Sequence, residues 1–198
     1  SENYVNGNKV GISLGWYEDG SAKDSLNVGS DGSGVYVSWF DNGNPSSAGR
    51  YVEFDKQHGK WQYFHKNGKL SSLEIYDHDK LIDKNYFDEE GNPMGDTTNT
   101  DREVQFVGGE KAWQKYFLKN VYYPSGYEFK NGYHAEVIIK AIVNEDGKVI
   151  NYWVSLPLNP AFDKAALGLF DKSPLWQPAM SHNRKVYGTI TESINFTE

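Results

Sequence analysis

The chain contains no cysteine, which excludes disulfides, thiolate metal ligands and cysteine nucleophiles. Apolar residues are also scarce. Hydrophobic types make up 38% of the 198 residues, below the usual share for a globular protein. No run approaches the ~20 apolar residues that a membrane-crossing helix needs, so no direct membrane insertion is expected. The histidines are His58, His65, His78, His134 and His182. None is spaced as His-x-x-x-His or His-Glu-x-x-His, which argues against zinc hydrolysis. Gly-x-Ser-x-Gly and phosphate-binding glycine loops are missing. The scattered acids give no sign of the paired carboxylates that a glycosidase sets in a cleft. The expectation is a non-catalytic protein with no cofactor and no metal.

Aromatic rings are plentiful, at 15% of the chain, and each buries much apolar area. Folded domains with modest cores are therefore expected, and the length is comfortable for two. The net charge of −7 is uneven. Residues 1–95 carry 15 acids against 9 bases, and residues 96–198 carry 12 against 11. An acidic first half argues against non-specific binding to nucleic acid or anionic lipid, which needs clustered Lys and Arg.

Four segments of the first half align: Trp16-Tyr17-Glu18-Asp19-Gly20, Trp39-Phe40-Asp41-Asn42-Gly43, Tyr63-Phe64-His65-Lys66-Asn67-Gly68 and Tyr86-Phe87-Asp88-Glu89-Glu90-Gly91. The second aromatic recurs at 17, 40, 64 and 87, in steps of 23, 24 and 23. Asp19-Gly20, Asn42-Gly43 and Asn67-Gly68 predict hairpin turns that need positive φ. Segments such as Arg50–Phe54 and Leu73–Tyr76 alternate at period two, as half-buried strands do. One hairpin cannot bury its own face, but stacked neighbours can, giving an elongated antiparallel β-hairpin sheet or solenoid over 1–95. The run Gly59–Leu70 resembles the bacterial variant of the MORN repeat. That resemblance covers 34–95 best and 11–33 more weakly, and it implies architecture more than activity.

Regular aromatics in a β-repeat are expected to form a core ladder. In each aromatic pair one ring should point in and one out. An outward row drawn from Trp16, Trp39 and Trp61 is the candidate ligand platform. His58 and His65 are expected to be exposed turn histidines. Asp77, Asp79 and Asp83 lack the glycine and closing glutamate of a calcium loop and are expected to be acidic turn residues, as is Asp88-Glu89-Glu90.

Residues 96–104 are polar and aperiodic and read as a linker. Beyond it, over 105–198, the pattern changes. Trp113, Tyr116, Phe117 and Leu118 fit one face of a helix over about 110–119, which Tyr123-Pro124 stops. Tyr133, Ala135, Val137, Ile139, Ala141 and Val143 alternate as a strand. Glu145-Asp146-Gly147-Lys148 is a turn, and Val149–Leu156 is the return strand. Asn159-Pro160 starts a helix, with Asn as cap and Pro at the first helical position. Val186, Gly188, Ile190, Ile194 and Phe196 share one side of a last strand. The order is α-β-β-α-β, so the fold class is mostly β plus α+β.

The signposts Phe106-Val107-Gly108-Gly109, Tyr123-Pro124, Asn144–Val149, Phe162–Leu167, Trp176-Gln177-Pro178-Ala179 and Ile194-Asn195-Phe196 occur in one order. Together they resemble the C-terminal domain of TonB-type energy transducers over about 106–196. The resemblance implies a three-stranded antiparallel sheet with two helices on one face and no catalysis. It also implies a periplasmic or cell-envelope location. The implied partner is a protein or peptide, such as an outer-membrane receptor segment, added by β-augmentation to the strand 185–196. The partner-binding residues are then Val186, Tyr187, Gly188, Thr189, Ile190, Thr191, Glu192 and Ser193. Three features depart from the family. Glu192 sits on the apolar side of the strand, Ser193 stands where proline is common, and Gly132-Tyr133-His134-Ala135 lacks a second glycine. A proline-rich spacer is missing from these residues, and the opening at Ser1 suggests a processed chain preceded by a signal peptide or anchor. Two other readings are a glycan-binding or adhesin-like surface protein and an antitoxin-like inhibitor.

Overall fold

A computed structural model of the protein describes residues 3–128 and 135–196. The chain divides into two compact units. The first is Ser1–Thr100 with His182–Arg184, and the second is Asp101–Ser181 with Lys185–Glu198.

The first unit is an eight-stranded antiparallel meander in which every strand pairs with the next. Its strands are β1 (Asn3–Val5), β2 (Asn8–Trp16), β3 (Ala22–Val28), β4 (Gly34–Trp39), β5 (Pro45–Val52), β6 (Lys56–Phe64), β7 (Leu70–Asp77) and β8 (Lys80–Tyr86). The repeated glycines all close one type of loop. Gly20, Gly43, Gly68 and Gly91 each donate to the carbonyl three residues back, on Tyr17, Phe40, His65 and Asp88. Only the glycine takes positive φ, between 80° and 88°. These are the expected hairpin turns, in the form of three-residue loops with a glycine bulge. Asp19, Asn42 and Asn67 accept a hydrogen bond from the backbone two residues on, holding the loop through their own side chains. Two-residue turns do occur at Asn6-Gly7, Glu53-Phe54 and His78-Asp79, where both residues have positive φ.

The repeat is also visible in the bonds between successive loops. The Tyr17 hydroxyl donates to Trp39 O, Asn44 Nδ2 to Lys66 O and Asn67 Nδ2 to Glu89 O, each 22 residues along. His65 Nε2 lies 2.9 Å from Phe87 O at the same offset. On one sheet face Tyr36, Tyr51, Trp61, Tyr63 and Tyr76 form an aromatic core. Trp61 is 2% exposed, stacks on Tyr36 and Tyr63, and meets Tyr51 edge-on at 5.0 Å. Its indole lies across Gly49, where a Cβ would come within 2.1 Å of the ring. A glycine is needed there for lack of space.

The second unit holds helix α1 (Gly109–Asn120), helix α2 (Pro160–Asp171) and a three-stranded antiparallel sheet. Four short strands precede or flank its last strand: β9 (Gln105–Phe106), β12 (Trp176–Gln177), β13 (Ala179–Ser181) and β14 (Arg184–Val186). The sheet order is β11 (Val149–Leu156), β10 (Ala135–Val143), β15 (Gly188–Phe196). Strand β10 is central, and its alternate residues Ala135 to Val143 are buried. They pack with Phe162, Ala165, Ala166, Leu169 and Phe170 of α2, with Trp113 of α1, and with Ile190, Ile194 and Phe196 of β15. Asn159 caps α2 by accepting from Ala161 N at 2.9 Å, and Pro160 is its first residue.

The expected α-β-β-α-β order is therefore present, with short ribbons added. Leu118, expected on the buried face of α1, is instead 74% exposed; Ala112, Trp113, Tyr116 and Phe117 of that helix reach the core. Val104, from the polar stretch before β9, is also a core residue. Gly132, Tyr133 and His134 lie outside the described residues.

Candidate partner-binding edge

Strand β15 forms one border of the sheet. Its nine residues pair continuously with β10, from Gly188 against Val143 to Phe196 against Ala135. Among the described residues no strand pairs with its other side. Backbone N–H and C=O groups on such a border are a template for another strand.

The expected last strand is split. Val186 ends β14, Tyr187 stands between, and the sheet strand begins at Gly188. The sheet strand starts on a glycine for lack of space: a Cβ at Gly188 would lie 2.4 Å from Val104 Cγ2. Six of the eight sequence-derived residues, Gly188 to Ser193, are thus on β15. Thr189, Thr191, Ser193 and Asn195 are exposed, whereas Ile190, Ile194 and Phe196 are buried.

Glu192 shares the inward side with those apolar residues, as its parity in the sequence predicted. It faces α1, where the Trp113 side chain hydrogen-bonds to it. Burial, then the nearby Glu110 charge, push its carboxyl up to about 7, against the pull of the Trp113 hydrogen bond. A groove of about 340 Å³ runs between helix and strand, lined by Glu110, Trp113, Gln114, Phe117, Glu192, Ser193 and Asn195. The edge therefore has polar backbone, an aromatic wall and two carboxylates.

The three tryptophans do not form one row. Trp61 is buried in the aromatic core, so it is not part of an outward platform. Strand alternation and the register Leu14–Ser25–Val37–Ala48–Gln62 put Trp16 and Trp39 on the opposite face. Trp16 is exposed and Trp39 half-buried. The histidines also differ from expectation. His65 is buried, its Nε2 against Phe87 O.

A buried polar network within the first unit was missed by sequence reasoning. The Glu74 carboxylate accepts from Ser72 Oγ at 2.7 Å and Tyr76 OH at 2.5 Å, and His182 Nδ1 lies 3.0 Å from both its oxygens. The His182 ring stacks on Tyr63 at 3.6 Å. The Arg184 guanidinium covers the Phe40 and Tyr63 rings and donates to Ser46 and to Phe64 O. Burial alone would raise the Glu74 pKa, but hydrogen bonds from His182, Tyr76 and Ser72 hold it below the usual range. The only signal in the sequence was the parity that sets Ser72, Glu74 and Tyr76 on one face. The network serves to satisfy buried polar groups.

No curated protein and no solved structure matches the chain. Residues 119–197, from the end of α1 through β15, match the family model of the Gram-negative bacterial TonB protein C-terminal, which points to a protein-interaction role of the energy-transducer type in the cell envelope.

Proposed function

We propose that the second unit is a non-catalytic peptide-binding module of the cell envelope, which takes an extended partner segment onto the outer side of β15. The observation that carries this reading is the border position of β15 in the order β11-β10-β15, with the α1 groove beside it. Main-chain bonds would supply affinity, and side chains alternating toward the α1 groove would supply selectivity. Glu110 and Glu192 line that groove and favour a partner with a Lys or Arg at the position that enters it. The hairpin units of the first unit, of the MORN-variant type, act as a spacer or docking face. An outer-membrane receptor segment is the proposed partner.

The test is titration of extended peptides from receptor N-termini into labelled protein. Amide shifts should concentrate on 188–196 and on α1 residues Glu110 to Phe117. Shifts elsewhere, or none with any such peptide, reject the reading. Replacing the peptide's basic residue with a neutral one should weaken binding by about tenfold.

A glycan-binding role has one supporting observation, the exposure of Trp16 beside Ile12 and Leu14 on β2. Oligosaccharide should then quench fluorescence in wild type and not in Trp16→Ala.

A further inference from the structure

Residues twenty positions apart meet at one end of the β6–β7 ribbon. Gly59 pairs with Tyr76, so His58 and Asp77 follow as neighbours, and His78 opens the turn. One donor atom each from His58, Asp77 and His78 lies within 4.8 Å of the other two. Asp77 Oδ1 stands 2.6 Å from His78 Nδ1 and 3.4 Å from His58 Nδ1. The two imidazoles meet edge to face at 5.1 Å. Among the described residues nothing makes a hydrogen bond to the buried His58 Nδ1, although Asp77 lies close, and such an atom costs free energy unless another ligand satisfies it. His78 has φ of 48°, a conformation few side chains adopt. Glu53 Oε1 is 3.8 Å from His78 Nε2. Two cations bear on the cluster. Lys80 acts on Asp77, and Lys56 is engaged by Asp79 at 3.1 Å.

We propose that His58, Asp77 and His78 form a binding site for a divalent transition-metal ion of zinc-like softness. Two imidazoles and one carboxylate are the donor set that zinc takes, with bonds of about 2.0–2.2 Å. Calcium and magnesium favour oxygen ligands and are disfavoured by the imidazoles. Ligand atoms around a tetrahedral ion lie about 3.3 Å apart, so side-chain rotations that open the 2.6 Å Asp77–His78 contact and draw the two imidazole nitrogens to that spacing form the set. Glu53 or water completes it. The bound ion would tie the Glu53-Phe54 turn of one repeat to the His78-Asp79 turn of the next. This site belongs to the first unit and is independent of the β15 edge.

Zinc chloride is titrated into the intact chain in a non-chelating buffer near pH 7.5, with calorimetry and histidine side-chain NMR as readouts. One equivalent should bind, saturating below about 100 μM, and the His58 and His78 ring signals should move while those of His65 and His182 stay. Calcium at the same concentration should give no heat. His58→Gln and His78→Ala should each weaken binding by at least about tenfold, and Asp83→Asn should leave it unchanged. Absence of saturable binding, movement of other histidines instead, or undiminished binding in the double variant His58→Gln/His78→Ala would overturn the proposal.

Discussion

Trp61 lies flat across Gly49, so a side chain at position 49 must displace the ring. Gly49→Val is expected to destabilise the first unit, and Trp61→Ala to cost about 3–5 kcal/mol through lost burial and the cavity left behind; urea unfolding followed by circular dichroism measures both. Glu74 and Glu192 respond to pH in opposite senses. Glu74 has a depressed pKa in the fold, so its contribution is present above the unfolded value near 4.5 and is lost as pH falls through the lower folded value. Glu74→Gln should flatten the acid limb of the first unit's stability. Glu192 is raised from 4.5 to about 7; its contribution is present below the unfolded value and lost as pH rises toward 7 and beyond. Glu192→Gln should raise protection of β10 and β15 amides at pH 8 relative to wild type and leave it similar at pH 4, as read by hydrogen exchange. The inward position of Glu192 was legible from strand parity alone. The partner of Glu74 was not, because no periodicity links position 74 to 182.

Elements were easier to read than contacts. The alternation of Ala135–Val143 and the Asn159-Pro160 start gave β10 and α2, since burial on one face and a satisfied first turn act locally. Asn159→Ala should cost about 1 kcal/mol and loosen Tyr127, whose hydroxyl lies 3.1 Å from Asn159 Oδ1; thermal melts and exchange at the start of α2 report it. The turns at Glu53-Phe54 and His78-Asp79 escaped notice. Their residues take positive φ without glycine, imposed by pairing of the flanking strands rather than by their own preference. The need for glycine at position 188 escaped for a similar reason: it depends on crowding by Val104, a neighbour 84 positions earlier in the chain. The metal-ligand set at His58, Asp77 and His78 was hidden because its spacing comes from strand register and not from a short motif.

At the scale of the molecule, the first unit is discontinuous in sequence. Its residues 1–100 are completed by His182, Asn183 and Arg184, which supply a partner to Glu74 and cover the rings of Phe40 and Tyr63. A fragment ending at Thr100 leaves the Glu74 carboxylate buried with one partner fewer, a change that is costly for a charge. Its melting temperature should fall below that of the same unit in the full chain, and Glu74→Gln should recover part of the loss in the fragment. The loop-to-loop bonds bear on how such a chain lengthens. Tyr17, Asn44 and Asn67 each reach a carbonyl 22 residues on, so the two inner copies carry both a donor for the copy that follows and an acceptor for the copy before. A gene duplication of one period would insert two strands, about 10 Å of sheet width, with these bonds already provided. An insertion of any other length would leave loop donors facing the wrong residue, which makes the period itself the unit of inheritance.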